Sequence, residues 1–224
     1  MATYLITGTN RGIGLEYCQQ LSHRGEQVIA VCRNPSDELQ ALALRDANLR
    51  LETGIDITEQ TSLDSLAQRL EGCCIDVLIN NAGIIHRVTL ADLDVDSIRR
   101  QFEVNALGPL RLTQALLPNL KSGSKVVLMT SRMGSIDDNT SGGSYGYRMS
   151  KVALSMAGKS LSHDLRPRGI AVGILHPGLV QTRMTGFSGI TPTESVTGLL
   201  ARIDHLSLDN TGTFWHTNGE ILPW

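Results

Sequence analysis

The chain predicts an α/β fold, a doubly wound parallel sheet of about seven strands with helices on both faces. Three observations carry that expectation. Short apolar runs alternate with helical patterns along most of the 224 residues. The connections between runs are too long for hairpins, which argues for parallel strands joined by crossovers. A glycine-rich turn, Thr7-Gly8-Thr9-Asn10-Arg11-Gly12-Ile13-Gly14, stands where the first apolar run ends and the first helical pattern begins. The length suits one domain, 1–224, large enough for a substantial core.

Taken in order, Tyr4 to Ile6 is a buried strand and Leu15 to Leu21 an apolar stripe at helical spacing. Gln27 to Cys32 is the second strand, and Ser36 to Leu44 a short helix after the Asn34-Pro35 break. Leu49 to Gly54 is the third strand. A helix opens near Thr58 with Leu63, Leu66 and Leu70 inward, and Ile75 to Ile79, apolar but for Asp76, is a fourth strand. Asp96 to Leu117 carries one long amphipathic pattern, followed by a fifth strand at Lys125 to Met129. Ser131 to Ser144, rich in Gly, Ser, Asp and Asn, is a loop. A long helix spans Tyr145 to Leu165 and a sixth strand Ile170 to Leu175, with a helix at Thr193 to Ile203 and a last strand at Gly212 to His216.

Composition narrows the function. A hydrophobic fraction of 41%, a charged fraction of 19% and a net charge of -2 describe an ordinary soluble protein and give no electrostatic case for nucleic acid. There is no run of about 18 apolar residues and no basic-then-apolar leader, so a cytoplasmic protein without membrane attachment is expected. Cys18, Cys32, Cys73 and Cys74 show neither zinc spacing nor a disulfide framework. His86, His163 and His176 form no metal spacing either, and no metal is expected.

The glycine turn suits an anion, because its glycines let the backbone approach a ligand and leave the first helical N–H groups free. A dinucleotide pyrophosphate is the natural candidate. Tyr147 and Lys151 are four residues apart on a predicted helix and share a face. A phenol is a poor acid or base at neutral pH, and a neighbouring ammonium lowers its pKa. Tyr147 would then exchange a proton with a carbonyl oxygen during hydride transfer. Ser131 directly follows the fifth strand, where its hydroxyl can meet the same oxygen; Ser135 and Ser144 are rivals in the same loop. Asn105 falls inside a long helix, where it is either a tolerated polar residue or a group that holds a water or distorts the helix near the site.

Together these motifs resemble the short-chain dehydrogenase/reductase family: the glycine turn, Asp56 after the third strand, Asn80-Asn81-Ala82-Gly83, Asn105, Ser131, Tyr147-x-x-x-Lys151, and Pro177-Gly178 with Thr182. The order is right over nearly the whole chain. Within the family the chain looks most like the small carbonyl reductases of the sniffer and C-factor type, through Ser141-Gly142-Gly143-Ser144-Tyr145 and the ending Gly219-Glu220-Ile221-Leu222-Pro223-Trp224. The resemblance implies a Rossmann fold. It implies that Gly8, Asn10, Arg11, Gly12, Ile13 and Gly14 form the cofactor turn, that Asp56 and Ile57 contact adenine, and that Asn81, Ala82 and Gly83 line the adenine ribose. It assigns substrate positioning to Ser131, acid/base work to Tyr147, nicotinamide-ribose binding to Lys151, and a proton-relay water to Asn105. Pro177, Gly178, Val180 and Thr182 would meet the nicotinamide.

Two departures stand out. The loop between Ser131 and Tyr147 is longer than the family's usual spacing, although Thr130-Ser131-Arg132-Met133-Gly134 keeps the expected register. The stretch between Thr182 and Thr193 is short where the family often carries a substrate lid, so an open pocket is expected.

The second strand ends Cys32-Arg33-Asn34, with no acid to hold a ribose 2′-hydroxyl. Arg33 and Arg11 instead offer charge-assisted contacts to a 2′-phosphate, so the expected cofactor is NADP(H). The expected partner is a small carbonyl or alcohol substrate, with a homodimer suggested by the family. The expected activity is NADPH-dependent reduction of an aldehyde or ketone. The alternatives are a cofactor-binding signalling protein of C-factor type and an alcohol or steroid dehydrogenase working oxidatively.

Overall fold

The structure, a computed structural model, describes residues 1–224. Seven strands, β1 (Thr3–Thr7), β2 (Gln27–Val31), β3 (Leu49–Glu52), β4 (Ile75–Asn80), β5 (Leu120–Met129), β6 (Ala171–His176) and β7 (Phe214–His216), form one sheet. Its order is β3-β2-β1-β4-β5-β6-β7, and every pairing is parallel. Seven α-helices connect and cover it: α1 (Gly12–His23), α2 (Asp37–Arg45), α3 (Gln60–Arg69), α4 (Val95–Phe102), α5 (Gly108–Ala115), α6 (Tyr145–Asp164) and α7 (Pro192–His205).

Alternation along the strands decides which layer each side chain joins. Tyr4, Ile6, Val28, Ala30, Val77, Ile79, Val127 and Met129 pack with α1, α2 and α7 on one face. Their neighbours Leu5, Ile29, Val31, Leu78, Val126 and Leu128 pack with α3, α5 and α6 on the other. Both faces are therefore dry, which is why these strands read as continuous apolar runs. Cys18 and Cys32 lie in the first layer, in the packing role expected of them.

The chain winds outward from β1 through β2 to β3, then crosses back to β4 and winds the other way. Strand order thus reverses between β1 and β4, and the crevice beyond their C-terminal ends is where such sheets bind ligands. The glycine turn follows β1 and Asn81-Ala82-Gly83 follows β4, so the two motifs face each other there. Helix starts obey their caps: Ser36, Asp94 and Thr191 accept from Leu39, Ser97 and Glu194 N–H at 3.3, 2.8 and 3.1 Å.

Several expected boundaries move by a few residues, and one element changes in kind. The single helix expected over Asp96 to Leu117 is α4, one turn of π-helix at Glu103–Leu107, then α5. Strand β5 begins at Leu120, five residues earlier than expected, because Leu120 pairs with Ile75 across a register shift. The segment after β6 folds onto itself: Gln181 N donates to Ile190 O at 2.9 Å, Ile190 N to Leu179 O at 2.8 Å and Phe187 N to Thr182 O at 2.9 Å. No helix is long and apolar enough to cross a membrane.

Candidate active site

The glycine turn is built for close approach. Gly8 and Gly12 hold φ of 72° and 56°, a region that disfavours any side chain. A Cβ on Gly14 would overlap the carbonyl oxygen of Gly8, and one on Gly8 would stand 2.9 Å from the Cα of Ala82. Helix α1 starts at Gly12 without a side-chain cap, leaving its first N–H groups facing the turn. Asn81 clamps the turn: its Nδ2 donates to Thr7 O at 2.9 Å and lies 3.4 Å from Gly8 O. Thr7 Oγ1 answers by accepting from Asn81 N at 3.1 Å and Ala82 N at 3.0 Å. Asn10 and Ile13 are half-buried on the flanks of the turn. These groups fit a pyrophosphate, with backbone donors and no side chain in the way.

At the far end of β2, Arg33 is 65% exposed, with its guanidinium 3.7 Å from Asp56. Arg11 is also exposed. Asp56 has a second cation, Arg100 of α4, at 3.7 Å, a residue that sequence reasoning missed. Arg100 and Asp56 are 44 positions apart, and no local pattern joins them. Desolvation raises the Asp56 carboxyl, but hydrogen bonds from Thr58 and the charges of Arg100 and Arg33 outweigh it, and the net shift is downward. Ile57 is buried against Gly108, as a member of the α3/α5/α6 layer.

Asn105 sits in the π-turn and is fully buried. Of its two expected roles, tolerated residue or distorter, the backbone shows the distortion. Inserting one residue into the helical ladder is a common device beside active sites. Here it turns the amide onto the strand-like segment after Gly83: Ile84 N donates to Oδ1 at 2.8 Å, and Nδ2 donates to Ile84 O at 2.8 Å. Nδ2 also donates to Ser150 Oγ at 2.9 Å, and Ser150 Oγ donates to Tyr147 O at 2.8 Å. Ser150, unnoticed in the sequence, thus links the π-turn to the helix carrying Tyr147.

Tyr147 and Lys151 share a buried face of α6, with Lys151 Nζ 5.7 Å from the Tyr147 ring centroid. Lys151 Nζ donates to Met129 O at the end of β5, 2.7 Å away. Burial pulls the Lys151 ammonium down to about 8. Burial also pushes the Tyr147 phenol up, with hydrogen bonding to Ser131 as the opposing influence. The sequence expects Lys151 to lower the phenol; burial acts in the other direction, and the opposing influence is Ser131.

Ser131 is buried at the C-terminal end of β5 and caps the 3₁₀ turn Arg132–Gly134, its Oγ accepting from Met133 N at 3.1 Å. Its rivals lie elsewhere. Ser135 Oγ accepts from Asp138 N at 3.1 Å inside the loop, and Ser144 is the left-handed residue, φ 48°, before α6. At the end of β6, Pro177 O accepts from Ser195 Oγ at 2.7 Å, Gly178 has φ 84°, and Val180 is buried beside Ile190. Thr182 faces the glycine turn: a Cβ on Gly12 would stand 3.3 Å from its methyl group. His176 meets His216 edge to face at 5.0 Å. Burial, His216, Arg132 and Lys151 hold its imidazole down to about 3, so it is neutral at physiological pH.

The site thus joins a glycine-lined anion cradle to a buried Ser131, Tyr147 and Lys151 corner on one sheet edge. The family model for short chain dehydrogenases matches residues 2–191, and the chain belongs to that family of oxidoreductases. It is 43% identical, over the full length of both chains, to 1-hydroxy-2-glutathionyl-2-methyl-3-butene dehydrogenase of Rhodococcus sp. strain AD45. It is 49% identical to C-signal of Myxococcus xanthus over 67% of this chain and 93% of that one. NADPH-bound carbonyl reductase from chicken fatty liver superposes with a TM-score of 0.94 at 34% identity, covering 100% of this chain and 99% of the other.

Proposed function

We propose that the protein is an NADPH-dependent carbonyl reductase, acting on an aldehyde or ketone. The observation that carries this reading is the convergence of Ser131, Tyr147 and Lys151 in one buried corner beside the crevice that the glycine turn lines. The likeness to an NADPH-bound carbonyl reductase supports it.

In this reading the turn from Gly8 to Gly14 receives the pyrophosphate on backbone N–H groups, and Arg11 and Arg33 hold the 2′-phosphate. Asp56 and Ile57 border the adenine, and Asn81 to Gly83 its ribose. Pro177, Gly178, Val180 and Thr182 border the nicotinamide, which supplies the hydride when bound. Ser131 donates its hydroxyl hydrogen to the substrate oxygen. Tyr147 gives that oxygen its phenolic proton, which the phenol holds at neutral pH. Lys151 holds the nicotinamide ribose and presents positive charge to the phenol as its proton leaves. Asn105 fixes the segment after Gly83 and, through Ser150, the turn of α6 behind Tyr147.

A second reading has its own observation. The same residues run backwards oxidise an alcohol, with Tyr147 accepting the proton, and the Rhodococcus relative is named a dehydrogenase. Likeness to C-signal favours an added signalling role, with the reductase residues retained.

The test is NADPH oxidation across a panel of aldehydes and ketones, with NADP-linked alcohol oxidation run beside it. Tyr147→Phe should lower kcat by about 10²–10⁴-fold, the usual worth of a general acid, and leave NADPH binding within about twofold. Retained turnover in that variant would defeat the mechanism. Tight NADPH binding without turnover of any carbonyl or alcohol would favour the signalling role.

A further inference from the structure

Arg148 follows Tyr147 on α6, yet its guanidinium serves the loop rather than any carboxylate. Nε donates to Gly142 O at 3.3 Å, Nη1 to Met133 O at 3.2 Å and Nη2 to Ser141 Oγ at 2.9 Å. One planar fork thus ties both ends of the loop to the helix that carries the tyrosine.

The loop has little else to hold its middle. Gly142 and Gly143 have φ of 64° and 65° with nothing near the position of a Cβ, and Ile136 is 73% exposed. Within the loop Arg132 reaches Asp138 at 2.8 Å, and two ties run to the segment after β7: Arg132 to Glu220 at 3.0 Å, and Asp137 N donating to Trp224 O at 2.9 Å. Among these anchors, Arg148 alone grips the peptide next to the serine's own contact.

That peptide is Met133. Its carbonyl accepts from Arg148, and its N–H donates to Ser131 Oγ at 3.1 Å. A hydroxyl that accepts from a fixed N–H has its oxygen held in place and keeps its hydrogen for the Tyr147 side of the pocket. Gly134, next along, leaves no room to slip, because a Cβ there would stand 2.8 Å from the main chain of Lys151.

We infer that Arg148 is a positioning residue for Ser131: by holding the Met133 carbonyl it fixes the residue whose N–H sets the serine Oγ, and so aims the hydroxyl at the substrate oxygen. The inference rests on the reductase reading, and it accounts for how a longer loop keeps Ser131 in register.

A double-mutant cycle tests it. Arg148→Met should lower kcat by about ten- to a hundredfold, the cost of misplacing a reacting group by a fraction of an ångström to an ångström, with the Kd for NADPH unchanged. Added to Ser131→Ala it should cost almost nothing further, because the hydroxyl it aims is gone. Arg148→Lys keeps the charge and most of the stem but not the fork, and should resemble Arg148→Met. Losses that multiply in the double mutant, or full activity in Arg148→Lys, would overturn the inference. Amide exchange at Met133 should quicken in either Arg148 variant and needs no turnover. Unchanged exchange therefore defeats the clamp itself, whereas a wild-type protein that turns over no carbonyl or alcohol defeats only the reductase reading.

Discussion

The two ends of the cleft are built by opposite means. At the Tyr147 end a chain of buried polar groups is answered: Asn105 by Ile84 and Ser150, Ser150 by Tyr147 O, Lys151 by Met129 O. At the Arg33 end the charges stand in solvent, Arg33 65% exposed and Arg100 45% exposed around a shared Asp56. Buried hydrogen bonds fix geometry because an unmet partner is costly, whereas exposed ion pairs are worth about 0–1 kcal/mol and are screened by salt. In the proposed reading, chemistry therefore sits where positions are fixed, and cofactor choice where they can adjust.

Three measurements press on that contrast. The largest effect belongs to Asn105→Ala, which strips Ile84 of two partners and Ser150 of one. Each buried group left unmet costs about 1–3 kcal/mol, so denaturant unfolding should show a loss of several kcal/mol, and kcat should fall with it. A loss under about 1 kcal/mol would show that the buried end is no more tightly specified than the exposed one.

The pH dependence comes next. With Lys151 at about 8 in the fold against an ordinary value of 10.5, the unfolded chain binds more protons between those values. Lys151 thus makes stability rise with pH across that window, and its charged form is the destabilised one. In the proposed reading the cation is nonetheless the form that meets the cofactor, so kcat/KM for NADPH should hold level below pH 8 and decline above it. Lys151→Arg should remove that decline, whatever it does to the level; a decline that persists in the variant belongs to another group.

Arg33→Ala should have the smallest effect, raising KM for NADPH by about tenfold or less while barely moving KM for NADH. The NADPH effect should shrink as salt rises through about 0.5 M. Equal effects on both cofactors would remove Arg33 from the 2′-phosphate site.

Much of the sheet was legible because its strands are buried on both faces, so runs such as Val28 to Val31 or Val77 to Ile79 can be nothing but interior. Tyr147 and Lys151 were legible because helical spacing alone puts them on one face. The π-turn was half legible: Asn105 was an anomaly in a helix, but only its bond to Ser150, 45 positions on, shows why the ladder breaks. Arg100 was hidden, since its contacts with Asp56 and Thr58 exist only once the fold brings α4 beside the turn after β3. Tyr147's raised pKa was hidden for a related reason. The charge next door is visible in sequence, but the loss of water around it is not.

The self-bonded segment from Leu179 to Ile190 bears on how this enzyme can be altered. Its hydrogen bonds close within itself, and it displays Met184 and Phe187 outward at 45% and 67% exposure. It behaves as a cassette. Randomising those two positions should leave the sheet's stability nearly untouched, so the segment can be varied without first stabilising the scaffold.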